Sequence, residues 1–336
     1  MLDTTHQALP PAAARLGLTP VEIRRLLQVT GEEQQELFAR ARDARRQAGV
    51  DTVKLRGVIE ISSFCQKVCD YCAIRAGNKA MSRYRMTEDF IMGVAEQVRD
   101  AGIGTVFLQA GQDPQMDHVV SAVIPRIRKD LGCEVLLNLG EKPRHVYEEW
   151  AALGATSYIL KFEASDPQLY WNIVRTPLHK RIDCIRWIKE AGMEVGTGNI
   201  VGLPGQTLDM LIRDVLLVAE LEPDFASSSP FIPNENTPLE SADDGNVDMT
   251  LNTIALFRLM FPGALVPTVS ALQKLRPGGQ RAGLDAGANV ITINFTPKDQ
   301  RDKYKIYSKE RFVVGSEHAR RIIGDAGLAI RAVQGR

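Results

Sequence analysis

From Val50 onward, short β-branched runs alternate with longer helix-patterned segments, and the alternation repeats eight times. The runs are "VKLRGVIEIS" (53–62), "TVFLQAG" (105–111), "EVLLNLG" (134–140), "SYILKFE" (157–163), "EVGTGNIVGL" (194–203), "FASSSPFIP" (225–233), "LVPTVSAL" (265–272) and "NVITINFT" (289–296). Between them, stretches such as "MTEDFIMGVAEQVRDAG" and "HKRIDCIRWIKEAG" carry the apolar period of a helix and end in glycine. Eightfold strand–helix alternation predicts an α/β fold, a closed parallel (β/α)8 TIM-type barrel, with an open doubly wound sheet as the other architecture. In both, chemistry gathers at the carboxyl ends of the strands. Upstream, residues 19–47 read as two helices: Thr19 caps, Pro20 opens and Glu22 closes a capping box, and Thr30 with Glu33 repeats the device. The expected organisation is therefore a helical segment over 1–51 and a barrel over 52–336.

Forty-four per cent of the 336 residues are hydrophobic, enough for a large core. Forty-one basic residues balance 41 acidic ones, so no basic excess argues for a nucleic-acid partner. No apolar run approaches the ~18 residues of a membrane span. The opening "MLDTTHQALPPAAARLG" lacks the apolar centre of a signal peptide, so a cytoplasmic location is expected. The chain has five cysteines, too few and too clustered for a disulfide framework.

Three of the five lie in "SSFCQKVCDYCAIRAGN", as Cys65, Cys69 and Cys72 in a C-x3-C-x2-C run just beyond the first strand. A structural zinc site wants four closed ligands. The remaining cysteines, Cys133 and Cys184, lie in or beside helical segments without a nearby histidine and read as ordinary buried thiols. A 4Fe–4S cube has four irons, each normally held by one thiolate, so three cysteines leave one iron open.

C-x3-C-x2-C with an aromatic residue, Tyr71, before the last cysteine resembles the signature of radical S-adenosylmethionine (SAM) enzymes. The likeness runs from about Arg56 to Gly327 and is greatest to the subgroup of the hydrogenase maturase HydE, methylornithine synthase and biotin synthase. "VGLPGQTLDMLIRDV", "PFIPNENTPL" and "AGANVITINFTP" are similar to HydE in particular. The resemblance implies one oxygen-sensitive 4Fe–4S cluster on Cys65, Cys69 and Cys72, with SAM chelated to the open iron. It also implies reductive cleavage of SAM to a 5′-deoxyadenosyl radical, and an electron donor such as flavodoxin or ferredoxin. Tyr71 falls near the adenine. Gly111 and Gln112 occupy the turn that receives the ammonium group of SAM. Gln112 departs from the family's glutamate, and Asp113 is the neighbouring acid placed to compensate. Asn138 matches a small polar SAM contact, Glu163 an acidic one, and Arg181 the arginine that holds the SAM carboxylate with a planar fork. Ile232, in "PFIP", matches the apolar wall of the adenine.

Biotin synthase fits least, because Cys133 and Cys184 do not match its second cluster. Methylornithine synthase recognises lysine through an arginine, a serine and an aspartate whose positions fall here at Ser227, Val269 and Ala271. The pair of threonines in HydE becomes Val269 and Ser270. By resemblance, Lys161, Ser227, Ser229, Thr268, Ser270 and Asn294, with Asp113, would line the substrate pocket. Several hydroxyls and one cation suit a small polar, anionic substrate. The expected activity is HydE-like, with a radical mutase or tailoring enzyme acting on an amino acid or other metabolite, similar to methylornithine synthase, as the alternative.

Overall fold

The strand that delivers the cysteine loop sets the frame. In the computed structural model, which describes residues 9–304 and 311–333, β1 spans Thr52–Ser62. It pairs in parallel with β2 (Thr105–Ala110) on one side and with β7 (Val290–Asn294) on the other. From β2 the parallel sheet continues through β3 (Glu134–Asn138), β4 (Ser157–Ile159), β5 (Glu194–Val201) and β6 (Phe225–Pro230). A short β8 (Ala329–Ile330) joins β1 at its amino end, opposite Thr52 and Val53.

The expected strand over 265–272 is the one that does not form as a ladder. Leu265 bridges Phe225 of β6 and Pro267 bridges Val290 of β7, so the segment fills the gap between the two ends of the sheet. Four backbone bonds hold it, from Leu265 to Asp224, Ala226 to Leu265, Thr268 to Val290 and Asn289 to Val266. Pro267 has no N–H to give a ladder, and the chain turns into helix at Ser270. The fold is thus a TIM-type barrel whose seventh place is a bridged segment, and the expected eighth strand is β7.

Inside the barrel, Val58, Phe107, Leu136, Phe225, Leu265 and Val290 form an apolar layer. Each of these large side chains contributes about 1.5–3 kcal/mol on burial. One residue pair further along each strand, the inward positions become polar: Glu60, Gln109, Asn138 and Lys161. Outside, helices cover the sheet. The helix Glu88–Asp100 starts where the Thr87 hydroxyl accepts from the backbone of Phe90, and its Val98 packs against Gly57 of β1. The helix Val247–Met260 is buried nearly all round because the two amino-terminal helices, Pro20–Gln28 and Gly31–Gln47, pack on it. Asn252 in that helix donates to the carbonyls of Leu27 and Val29, and accepts from Gln34.

Candidate functional site

Beyond Ser62 the chain leaves β1 and turns over the mouth of the barrel. The loop lies directly on the end of β2: a Cβ at Gly111 would stand 2.4 Å from the Phe64 carbonyl oxygen and 2.6 Å from the Cys65 Cβ. Only glycine fits, so the glycine sought as part of a SAM turn also seats the cysteine loop. Cys65, Cys69 and Cys72 border one cavity of about 240 Å³. Burial pushes the Cys69 thiol up to about 12 and raises that of Cys72 as well. As bare thiols these two stay protonated, and they become thiolates when a positive metal centre compensates the charge.

Tyr71, Gly111, Gln112 and Asn138 border the same cavity, as do Lys161, Glu163, Arg181, Ser229 and Ile232. Glu163 is held in the left-handed region, with φ of 65°. Two backbone bonds to β5 fix it there, from Glu163 to Gly198 (3.1 Å) and from Ile200 to Glu163 (2.8 Å). Its Oε1 accepts from the Tyr71 hydroxyl at 3.3 Å. Its Oε2 is buried and accepts no hydrogen bond. Lys161 Nζ stands 3.3 Å from that oxygen at ion-pair distance, but donates its hydrogen bond to Ser229 Oγ at 2.8 Å.

Arg181 is also buried. Its Nε donates to Glu141 Oε1 and its Nη1 to the Lys161 carbonyl, both at 2.8 Å. The other oxygen of Glu141 accepts from Lys67 Nζ at 2.8 Å, and Lys67 lies between Cys65 and Cys69. Burial alone would raise the Glu141 carboxyl, but Arg181 and Lys67 outweigh it and hold the group below the ordinary glutamate range. Gln112 is not idle: its Oε1 accepts from the backbone of Glu141 at 3.2 Å. A Cβ on Gly140 (φ 75°) would meet the Cβ of Gln112 at 2.7 Å, so this second turn is packed as closely as the first. Sequence reasoning passed over Glu141, although an acid directly after a strand-end glycine in "LGEKP" was visible.

Five expected residues lie elsewhere. Asp113 does not border the cavity. Arg85 grips its carboxylate at 2.7 and 3.0 Å, Ser62 Oγ donates at 2.7 Å, and the backbone of Gln115 at 3.3 Å. Burial raises this carboxyl, but Arg85 and Ser62 more than reverse the effect. With its oxygens so engaged, Asp113 fixes the turn after β2. Thr268, Ser270 and Asn294 border a second cavity, of about 150 Å³, which shares Gln109 with the first. Thr268 already donates to the Gln280 carbonyl. Ser227 borders neither cavity. The second cavity contains a pair that the sequence reading missed, buried Glu60 clasped by Arg311 at 2.8 and 3.0 Å, with Asn294 donating to Glu60 at 3.2 Å. Its signal was parity: Glu60 shares the inner face of β1 with Arg56 and Val58.

A family model for the radical SAM superfamily matches residues 59–218. The [FeFe] hydrogenase maturase subunit HydE of Thermotoga maritima is 40% identical over 273 residues, 81% of this chain and 78% of that protein. The chain belongs to the radical SAM superfamily. The 3-methylornithine synthase of Methanosarcina barkeri is 27% identical, over 87% of this chain and 84% of its own length. The crystal structure of a methylornithine synthase superposes with a TM-score of 0.82 at 26% identity, covering 94% of each chain. The maturase HydG from Carboxydothermus hydrogenoformans superposes at 0.80 over 96% of this chain and 78% of its own; at 22% identity it attests the fold.

Radical SAM enzymes use a 4Fe–4S cluster with SAM, and Cys65, Cys69 and Cys72 fit the family motif. The residues present suit both groups. The cavity carries three cysteines, while Cys133 and Cys184 are buried elsewhere, with their sulfurs against the carbonyls of Ile103 and Lys142. Among the described residues no three such side chains close round a point as a single ion requires, whereas a cube needs thiols spaced around a cavity. Glu163 Oε2, buried, with Lys161 at ion-pair distance but no hydrogen bond of its own, suits a cationic or hydroxyl-bearing ligand. As a radical SAM enzyme, the protein acts on a small molecule and needs a reductant. Among the described residues no helix is long and apolar enough to cross a membrane.

Proposed function

We propose that this enzyme cleaves SAM in the 240 Å³ cavity and directs the resulting radical to a small, polar, anionic substrate, in the manner of HydE. The observation that carries the reading is the convergence in one cavity of three cysteines, the tethered Arg181, the half-satisfied Glu163 and Lys161. A cluster held there would supply the one-electron reducing chemistry that SAM cleavage needs. Cys65, Cys69 and Cys72 would hold the cluster. Arg181 would present what remains of its guanidinium to the SAM carboxylate, its Nε and Nη1 being anchored by Glu141 and Lys161. Gln112 and Asn138 would offer neutral oxygens to the ammonium group, Glu163 a charged one, and Tyr71 and Ile232 the walls for adenine. Lys161 and Ser229 would face an anionic substrate, with Thr268, Ser270 and Asn294 in the adjoining cavity. Holding the substrate in van der Waals reach of the 5′ carbon is the main contribution such an interior makes. A flavodoxin or ferredoxin would serve as donor, in the cytoplasm.

A mutase acting on lysine is the second reading, favoured by the likeness to 3-methylornithine synthase. It meets an obstacle: Ser227, Val269 and Ala271 give the charged ends of lysine no partners, and burying them unpaired is costly. The test is a panel of amino acids, thiazolidine carboxylates and iron–cysteine complexes, scored by 5′-deoxyadenosine and by deuterium transfer. Stimulation by an anionic sulfur-bearing member is expected. Efficient turnover of lysine to a methylornithine would replace this reading with the second.

A further inference from the structure

A radical SAM enzyme must receive its electron from outside, so some part of the surface next to the cysteines has to admit a reductant. Among the described residues five large apolar side chains are exposed, and two of them belong to the elements that enclose Cys69. Val68, 40% exposed, immediately precedes Cys69. Trp171, 47% exposed, lies on the helix Pro167–Val174, one turn (~5 Å) before Val174. The end of that helix rests on the cysteine loop: the Cys69 sulfur is 4.0 Å from the Val174 carbonyl, and the backbone of Asp70 donates to Ile173 at 2.7 Å.

Charge is arranged around Asp70, the residue that follows Cys69. Asp70 is buried, 4% exposed, and two arginines converge on it. Arg75 donates to Asp70 at 3.2 Å and to the Val68 carbonyl at 2.8 Å. Arg175 pairs with the other carboxylate oxygen and leaves 47% of its side chain in solvent. Two cations against one covered anion leave a net positive edge beside two exposed apolar side chains, on a chain whose total charge is zero. An exposed tryptophan with a cationic rim is the composition of a protein-docking surface, and the sign selects an acidic partner.

We propose that the face formed by Val68, Trp171 and Arg175 is the docking site for a small acidic protein carrying a one-electron centre. The inference rests on the radical SAM reading and adds the surface that serves it. In the step, the carrier is oxidised by one electron and the iron–sulfur group beside Cys69 is reduced by one. No bond forms between the two proteins.

The test uses the cluster-loaded enzyme and Trp171→Glu at matched iron content, with a bacterial flavodoxin as probe. Affinity for oxidised flavodoxin is measured directly, and 5′-deoxyadenosine formation is followed with reduced flavodoxin and, separately, with dithionite. The expected result is a rise of about tenfold or more in both Kd and KM for flavodoxin, with the dithionite-driven rate within about twofold of wild type. Wild-type binding is also expected to weaken as salt is raised. Unchanged Kd and KM in the variant would overturn the proposal, as would flavodoxin binding insensitive to salt. If Trp171→Glu fails to retain iron, Trp171→Ala carries the same comparison. Failure of the radical reading is separable: wild type would then give no deoxyadenosine with dithionite, while the binding measurement still judges the surface.

Discussion

Arg181 shows how much a single side chain can be asked to do. Its guanidinium bonds two protein acceptors, Glu141 and the Lys161 carbonyl, while bordering the cavity. Lysine in its place keeps the charge and loses the fork, so at least one hydrogen bond to a charged group disappears, worth about 1.5–3 kcal/mol. Arg181→Lys is therefore expected to weaken equilibrium SAM binding by about tenfold or more while the iron content stays at wild-type level. SAM affinity equal to wild type would return Arg181 to a purely structural role. Glu141, which ties Arg181 to Lys67 in the cysteine loop, explains how the two halves of the site keep their register.

At the scale of elements, the contact between the cysteine loop and the end of β2 leaves no room. Gly111→Ala would drive a methyl against the Phe64 carbonyl and the Cys65 side chain, and backbone must shift to relieve it. Anaerobic reconstitution of this variant is expected to give well under the roughly four irons per chain of one cube. Normal iron loading would show that the loop seats without that contact. On the opposite flank, Asp214, in the helix Leu208–Leu221, binds the Ser165 backbone and hydroxyl, Asn199 and Gln206, and so staples the ends of β4 and β5. Burial raises its carboxyl to about 7. A carboxyl raised in the folded state contributes stability below the unfolded value, and that stability is lost as pH climbs through the folded one. Relative to Asp214→Asn, the protein should thus lose about 2–3 kcal/mol of unfolding free energy between roughly pH 5 and pH 8. Denaturant titrations at both pH values measure it, and parallel profiles for the two proteins would contradict it.

At the scale of the whole molecule, the amino-terminal helices and the barrel share one core. Phe38 is buried in the same apolar cluster as Leu256 and Phe257 of the helix Val247–Met260. Truncating it leaves a cavity against the barrel's own helix, at a cost of about 3–5 kcal/mol. Phe38→Ala is expected to lower Tm in a single cooperative transition that includes the barrel. Two separate transitions would mean that residues before Val50 fold as an independent unit.

Strand–helix alternation and the C-x3-C-x2-C run were legible in the sequence because each is a local pattern: side-chain period reports the element, and spacing reports the ligand set. Seven of the eight expected strand places hold strands, and the three cysteines border a single cavity. Tertiary structure decided what depends on residues distant in the chain. Pro267 reduced a strand to two bridges because its neighbours on both sides had to supply the ladder. Asp113, next to Gln112 in sequence, faces Arg85 and Ser62 because a turn aims successive side chains in different directions. Glu141, just past β3, and Arg181, near the start of the helix Leu178–Glu190, lie 40 residues apart and meet only across the barrel mouth. Whether a carboxylate is a turn cap, a tether or an open ligand is set by which donors arrive across space, and no spacing along the chain encodes that.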